Sequence, residues 1–238
     1  MTSLNILSGG AAQELVRSLA PMFKEQTGFD IDGEFGAVGA MAERLRRGTA
    51  ADIVILTAAI MTKLIEEGLI VRSSISELGT VETALAVRTR DPKTSIKDAS
   101  GLREALLASD AIFLPDTTAS TAGMHVAKIF EQLGIANQVA ARLNIFPNGA
   151  TAMRHLADSG ARRPIGCTQS TEIIGTEGVM LSGSLPPGCE LATVYTAGVT
   201  THAGFSLQAE QLIGLLTAAD QKQLRYEAGF RDVKEYRD

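Results

Sequence analysis

The sequence predicts an α/β protein of two lobes, each a mixed, mainly parallel sheet flanked by helices. Three observations carry this. Short β-type runs alternate with helical stretches along the chain, the pattern of βαβ units around a parallel sheet. Glycines stand where helices would stop, at Gly28, Gly48, Gly68 and Gly134. The 238 residues, 45% hydrophobic and 21% charged, can fill two cores of about 100 residues each, and they exclude a disordered, collagenous or coiled-coil chain.

The elements follow in order. Leu4 to Leu7 reads as a strand and Ser8-Gly9-Gly10 as a tight turn. From Ala11 to Gln26, Leu15, Leu19, Met22 and Phe23 fall on one helical face, and Pro21 is expected to kink or split the helix. A strand over Phe29 to Phe35 leads through Gly36-Ala37-Val38-Gly39 into a helix ending at Arg47. Asp52 to Leu56 is a third strand, Ala58 to Glu67 a helix, and Glu82 to Val87 a fourth strand. The polar turn Arg90-Asp91-Pro92 marks the crossing into a second lobe. There a helix (Leu102 to Leu107), a strand (Ala111 to Leu114), a turn (Pro115 to Ser120) and a helix (Thr121 to Leu133) succeed one another. A strand (Leu143 to Phe146), a helix (Ala150 to Ala157) and a strand (Ile165 to Cys167) complete it. Pro186-Pro187-Gly188 begins the return, with a strand over Leu191 to Thr196 and helices after Ser206. The expected lobes are therefore 1–88 with 191–238, and 89–190.

A net charge of −5 with no basic stripe excludes a broad nucleic-acid surface. The two cysteines, Cys167 and Cys189, lie in different contexts and predict no disulfide framework. The three histidines are scattered and there is no Cys-x-x-Cys, so neither a metal nor another cofactor is expected. The chain enters a strand at once, without the charged and apolar regions of an export signal, which reads as cytoplasmic; removal of a signal would make it periplasmic. No apolar run approaches the roughly 18 residues that span a bilayer, and no oligomeric state is implied.

Three small-residue turns sit where strands end and helices begin: Ser8-Gly9-Gly10, Gly36 to Gly39, and Thr118 to Gly123. Each offers backbone N–H groups at the positive end of a helix, which suits a bound anion at the sheet edge where α/β proteins collect ligands. Good turns and N-caps would carry the same residues with no ligand.

The stretch Gly36 to Leu45, Gly48, Ala51 to Ala58 and Glu67 to Ile70 resembles the molybdate-type periplasmic solute-binding proteins. So do Asp116 to Gly123, Leu133-Gly134-Ile135 and Ala228-Gly229-Phe230, and the likeness covers nearly the whole chain. The resemblance implies a two-lobed periplasmic-binding-protein-like fold of type II that closes on a small anion, with a membrane permease as partner if the protein is exported. That family usually supplies a serine hydroxyl to the oxyanion from each of its first two turns. Here those positions correspond to Ala11 and to Ala37 or Val38, and Cys167 stands where the family has a late tyrosine. Each lost hydrogen bond weakens binding by about 0.5–1.5 kcal/mol, which disfavours molybdate. A methyl or isopropyl group in the second turn favours a ligand with carbon surface, such as a small carboxylate.

The residues expected to line the site are Ser8, Gly9, Gly10, Ala11, Gly36, Ala37, Val38 and Thr57 in the first lobe. In the second they are Thr118, Ser120, Thr121, Asn148, Cys167, Thr168 and Gln169, with Thr117, Gly149 and Ser170 beside them. The hydroxyl and amide groups could bind carboxylate oxygens as neutral donors, or serve only as helix caps. Cys167 reads either as facing the ligand or as an inert buried thiol. His125, one turn into the helix after Gly123, could act as a general acid or base, or be an ordinary helical histidine; His155 and His202 occupy no such place. The leading expectation is a binding protein for an organic carboxylate. The alternative is a cytoplasmic isomerase of a small unsaturated carboxylate, since a few relatives of this family resemble aconitate isomerases.

Overall fold

A computed structural model describes residues 2–233. Residues 1 and 234–238, at the two ends of the expected first lobe, lie outside them. In chain order the elements are β1 (Ser3–Gly9), α1 (Gln13–Thr27), β2 (Asp30–Gly36), α2 (Val38–Arg46), β3 (Ile53–Thr57), α3 (Ala58–Glu66) and β4 (Ser76–Arg88). Then come α4 (Ala99–Ala108), β5 (Ala111–Pro115), α5 (Thr121–Gln132), α6 (Ala136–Val139), β6 (Leu143–Phe146), α7 (Gly149–Asp158), β7 (Pro164–Gln169) and α8 (Ser170–Ile174). The chain ends with β8 (Val179–Ser184), β9 (Ala192–Val199), α9 (Ser206–Thr217) and α10 (Lys222–Glu227). It divides into two compact units, one ending at Val81 and resuming at Thr193, the other running from Glu82 to Ala192. The first passage thus falls inside β4 and the second near the start of β9.

In the first unit the strands lie in the order β2-β1-β3-β9, with β1, β2 and β3 parallel and β9 antiparallel to β3. β3 is buried at every position, which is why it reads as an unbroken apolar run. β2 is an edge strand carrying Asp30, Asp32 and Glu34, charges that discourage pairing with a further chain. α1 buries Leu15, Val16, Leu19 and Phe23 and closes on Gly28 at φ 75°. Two expectations are corrected here. Met22 is 39% exposed, because it lies on the rim of a face centred between Leu15, Leu19 and Phe23. Pro21 does not split α1, which runs through it; the ring is on the exposed side, where the carbonyl it leaves without a donor can be hydrated.

In the second unit β4 is flanked by β7 and β8, both antiparallel to it, and β5 joins β7 to β6 through parallel pairings. Alternation along the strands sends side chains to two apolar layers. Leu85, Ile165 and Cys167 pack with Leu102, Leu106, Val126 and Ile129 of α4 and α5. Ala84, Ala86 and Phe113 pack on the other face with Ala152, Met153 and Leu156 of α7 and Ile173 of α8. β8 and α8 lie where the sequence predicts no element, and β4 begins at Ser76, six residues before the predicted Glu82.

Candidate functional site

The carboxyl ends of β1, β2 and β3 each turn directly into a helix. A 3-10 turn over Gly10–Ala12 precedes α1, Ala37 is the N-cap of α2, and Thr57 that of α3. None of these three starts has a side-chain cap, so their first amides have no side-chain acceptor of that kind. Gly9 is where the first two of them crowd together. A Cβ on Gly9 would lie 2.7 Å from Val38 Cγ1 and 3.0 Å from Tyr195 Cε1, so the first turn, the second turn and β9 meet there. Tyr195 pairs in register with Thr57 and is 2% exposed. Ser8 is fully buried and donates its hydroxyl to the Gly9 carbonyl at 2.9 Å. Ala11 and Thr57 are buried, and a Cβ on Gly36 would lie 3.0 Å from Met41 Cε. The surroundings are mostly small or apolar, the helix starts lack side-chain caps, and positions 11, 37 and 38 carry no hydroxyl.

Three helix starts of the second unit are capped by side chains. Asp98 accepts from the Gly101 amide at α4, Ser120 Oγ from the Gly123 amide at α5, and Asn148 Oδ1 from the Thr151 amide at α7. Thr118 is exposed and donates both its amide and its hydroxyl to Asp116 Oδ1. Those bonds, the hydroxyl first, hold the Asp116 carboxyl below its ordinary range. Gly123 has no room for a side chain, since a Cβ would come within 2.1 Å of the Asp116 carbonyl oxygen. Ser120, Asn148 and Thr118 are therefore engaged within their own turns, and Thr121 opens α5 half-buried.

Gln169 is the exception. It is 3% exposed, and neither Oε1 nor Nε2 has a hydrogen-bond partner. Its register partner on β4, Thr83, and Thr171 two residues on are likewise buried with unpartnered hydroxyls. Gln169 lies on the same sheet face as Cys167 and Leu85, so an apolar layer ends in a polar corner that the chain does not satisfy.

On the opposite face Thr168 donates to Glu172 Oε2 at 2.6 Å. The Glu172 carboxylate also accepts from the amides of Ala150, Gly149 and Gln169. A Cβ at Gly149 would fall 1.9 Å from Oε2, so glycine is required for this approach. Burial pushes the Glu172 carboxyl up, against the pull of the four hydrogen bonds. The start of α7 thus already receives a carboxyl group, and it belongs to the chain.

Cys167 belongs to the apolar layer, where it is 2% exposed, and burial pushes its thiol up to about 12. His125 places Nε2 2.9 Å from the Cys189 carbonyl oxygen, and Gln132, two turns on, donates to the Gly188 carbonyl; together they tie α5 to the turn at 186–190. Tyr195, Thr83, Thr171 and Glu172 are not among the site residues the sequence predicts. Among the described residues no group of His, Cys, Asp and Glu is placed to hold a metal ion, and no helix is long and apolar enough to cross a membrane.

Two lobe-sized α/β units, crossed twice by the chain, the first with uncapped helix starts at a strand edge, define a periplasmic-binding-protein-like fold. Residues 4–231 match the bacterial extracellular solute-binding proteins, and the chain belongs to that family. It is 24% identical to an aconitate isomerase of Pseudomonas sp. over 98% of this chain and 89% of that one. The periplasmic molybdate-binding protein of Azotobacter vinelandii is similar in structure, with a TM-score of 0.79 at 16% identity, covering 96% of this chain and 99% of that one. The sulfate-binding protein of Mycobacterium tuberculosis has a TM-score of 0.74 at 18% identity, covering 98% and 88%.

Proposed function

We propose that this solute-binding protein takes a small organic carboxylate, and that the corner of Thr83, Gln169 and Thr171 receives one of its carboxylate groups. The observation that carries the reading is the Gln169 amide, buried with both polar atoms unpartnered. Leaving such a group unsatisfied is costly, so a ligand that accepts from Nε2 and the threonine hydroxyls recovers what the empty corner forfeits. The first unit separately favours an anion with carbon surface, through uncapped helix starts beside Val38 and Tyr195. Ala11, Ala37 and Val38 offer no side-chain hydroxyls to a tetrahedral oxyanion. In an exported setting the loaded protein would deliver its solute to a membrane permease.

The test is a thermal-shift and calorimetry panel of aconitate, other di- and tricarboxylates, molybdate and sulfate on wild type and Gln169→Leu. Carboxylates are expected to raise the melting temperature of wild type alone. Stabilisation by micromolar molybdate, or unchanged carboxylate binding by Gln169→Leu, would overturn the reading.

The relative that isomerises aconitate favours a second reading, in which the bound acid is also turned over. Moving a double bond requires a proton removed from one carbon and returned to another. NMR of aconitate with the protein in deuterated water decides it: conversion or deuterium uptake supports turnover, and an unchanged spectrum leaves a binding protein.

A further inference from the structure

Glu172 is the one buried acid in the second unit with no part in the ligand groups proposed above, yet it touches them. Its carboxylate receives the Thr168 hydroxyl, the first amides of α7 and the backbone amide of Gln169. It therefore bridges the start of α7 to the junction of β7 and α8, from which Gln169 and Thr171 present their unpartnered groups. The approach is close enough to demand glycine at position 149. A buried carboxylate is a poor means of simple packing, since an apolar side chain would fill the same space without desolvating a charge.

We propose that Glu172 is a positioning residue for the carboxylate site. It is a buried carboxyl group that locks the β7–α8 junction, fixes the backbone from which the Gln169 amide projects, and keeps external anions off the start of α7. This rests on the proposed reading of Gln169 as a ligand group. With Glu172 in place the helix start is spent, and the ligand meets neutral donors in this unit. Without it, four donors point into a vacated space the size of a carboxylate.

That vacancy provides the test. In full-length Glu172→Ala, measured well below its melting temperature, affinity for aconitate is expected to fall at least tenfold. Formate or acetate should occupy the vacated donors, raise the melting temperature of this variant and restore aconitate affinity, while leaving wild type unaffected. A purely structural role would let formate restore stability without moving the affinity of the folded protein. Aconitate binding equal to wild type, or no response to formate, overturns the proposal. Glu172→Gln serves where the alanine variant does not fold. It keeps the shape but sets an NH2 group against amide donors, and its aconitate affinity should fall while that of Glu172→Asp falls less. Equal affinity in all three proteins overturns the proposal in the same way. Failure of the Gln169 reading is distinguishable, because it appears as unchanged binding by Gln169→Leu whatever formate does to the Glu172 variants.

Discussion

Replacing Gln169 with leucine should make the ligand-free protein more stable, the opposite of what a substitution at a 3% exposed polar residue usually does. An unsatisfied buried polar group costs about 1–3 kcal/mol, and Gln169 brings both ends of its amide into that condition. Leucine keeps most of the apolar contact and removes the amide. Its smaller volume costs about 1 kcal/mol through imperfect packing. The net expectation is a gain of about 1–2 kcal/mol, which at a slope of about 2 kcal/mol/M moves the urea midpoint up by about 0.5–1 M. The same variant should lose the ligand's contribution. Aconitate at a hundred times its dissociation constant adds about 2.7 kcal/mol to a protein that binds it, and should add nothing here. Urea titrations with and without aconitate measure both terms. A lower midpoint in the ligand-free variant would refute the reasoning, because it would mean the native amide already has partners.

Three further outcomes follow from the same geometry. Thr168→Val removes a hydroxyl donated to a buried carboxylate, about 1.5–3 kcal/mol, and returns about 0.8 kcal/mol through the added methyl, so denaturation should show a net loss of about 1–2 kcal/mol. Burial raises the Glu172 carboxyl above its ordinary 4.5, so the folded state holds that proton more tightly than the unfolded one. The group's contribution is then complete below about pH 4.5 and declines as pH rises through the raised value. The stability of wild type relative to Glu172→Gln should decline in that direction, and a rise would contradict the assignment. Burial raises both thiols, Cys167 to about 12, so Ellman's reagent at pH 8 should label neither in the native protein and both in denaturant.

Much of the fold was legible because it is built of local signals. The unbroken apolar run of β3, the glycine stops after α1 and α3, and the small-residue turns after β1 and β2 each state their role within a few residues. What escaped was short or non-local. α8 has five residues, too few for a helical period, and β8 mixes apolar residues with Ser182, Gly183 and Ser184. At the candidate site the sequence shows the turns but not which side chains cap them. Ser120 and Asn148 were read as ligand groups or caps, and the structure shows their caps. Tyr195 arrives on β9, an antiparallel strand set beside β3 from far along the chain, so no spacing near Gly9 announces it. Glu172 looks like any helical glutamate in sequence, and only the approach of Gly149, 23 residues earlier, sets its carboxyl against the start of α7.

The contrast between the units also fixes how binding should respond to salt. The first unit leaves α1, α2 and α3 without side-chain caps, while the second caps α4, α5 and α7 from within and adds Glu172 to the last. The groups assigned to the ligand are accordingly amides, hydroxyls and a carboxamide, with no lysine or arginine among them. Dipoles of that kind act at hydrogen-bond range, where mobile ions do not intervene, whereas an exposed cation attracts a polyanion through a field that salt screens beyond about 10 Å at 0.1 M. Raising sodium chloride from 0.05 to 0.5 M should therefore weaken aconitate binding by no more than about threefold, measured by calorimetry at constant pH. A loss of tenfold or more would show that a lysine or arginine outside the assigned set meets the ligand, and the picture of recognition by neutral donors would have to be abandoned.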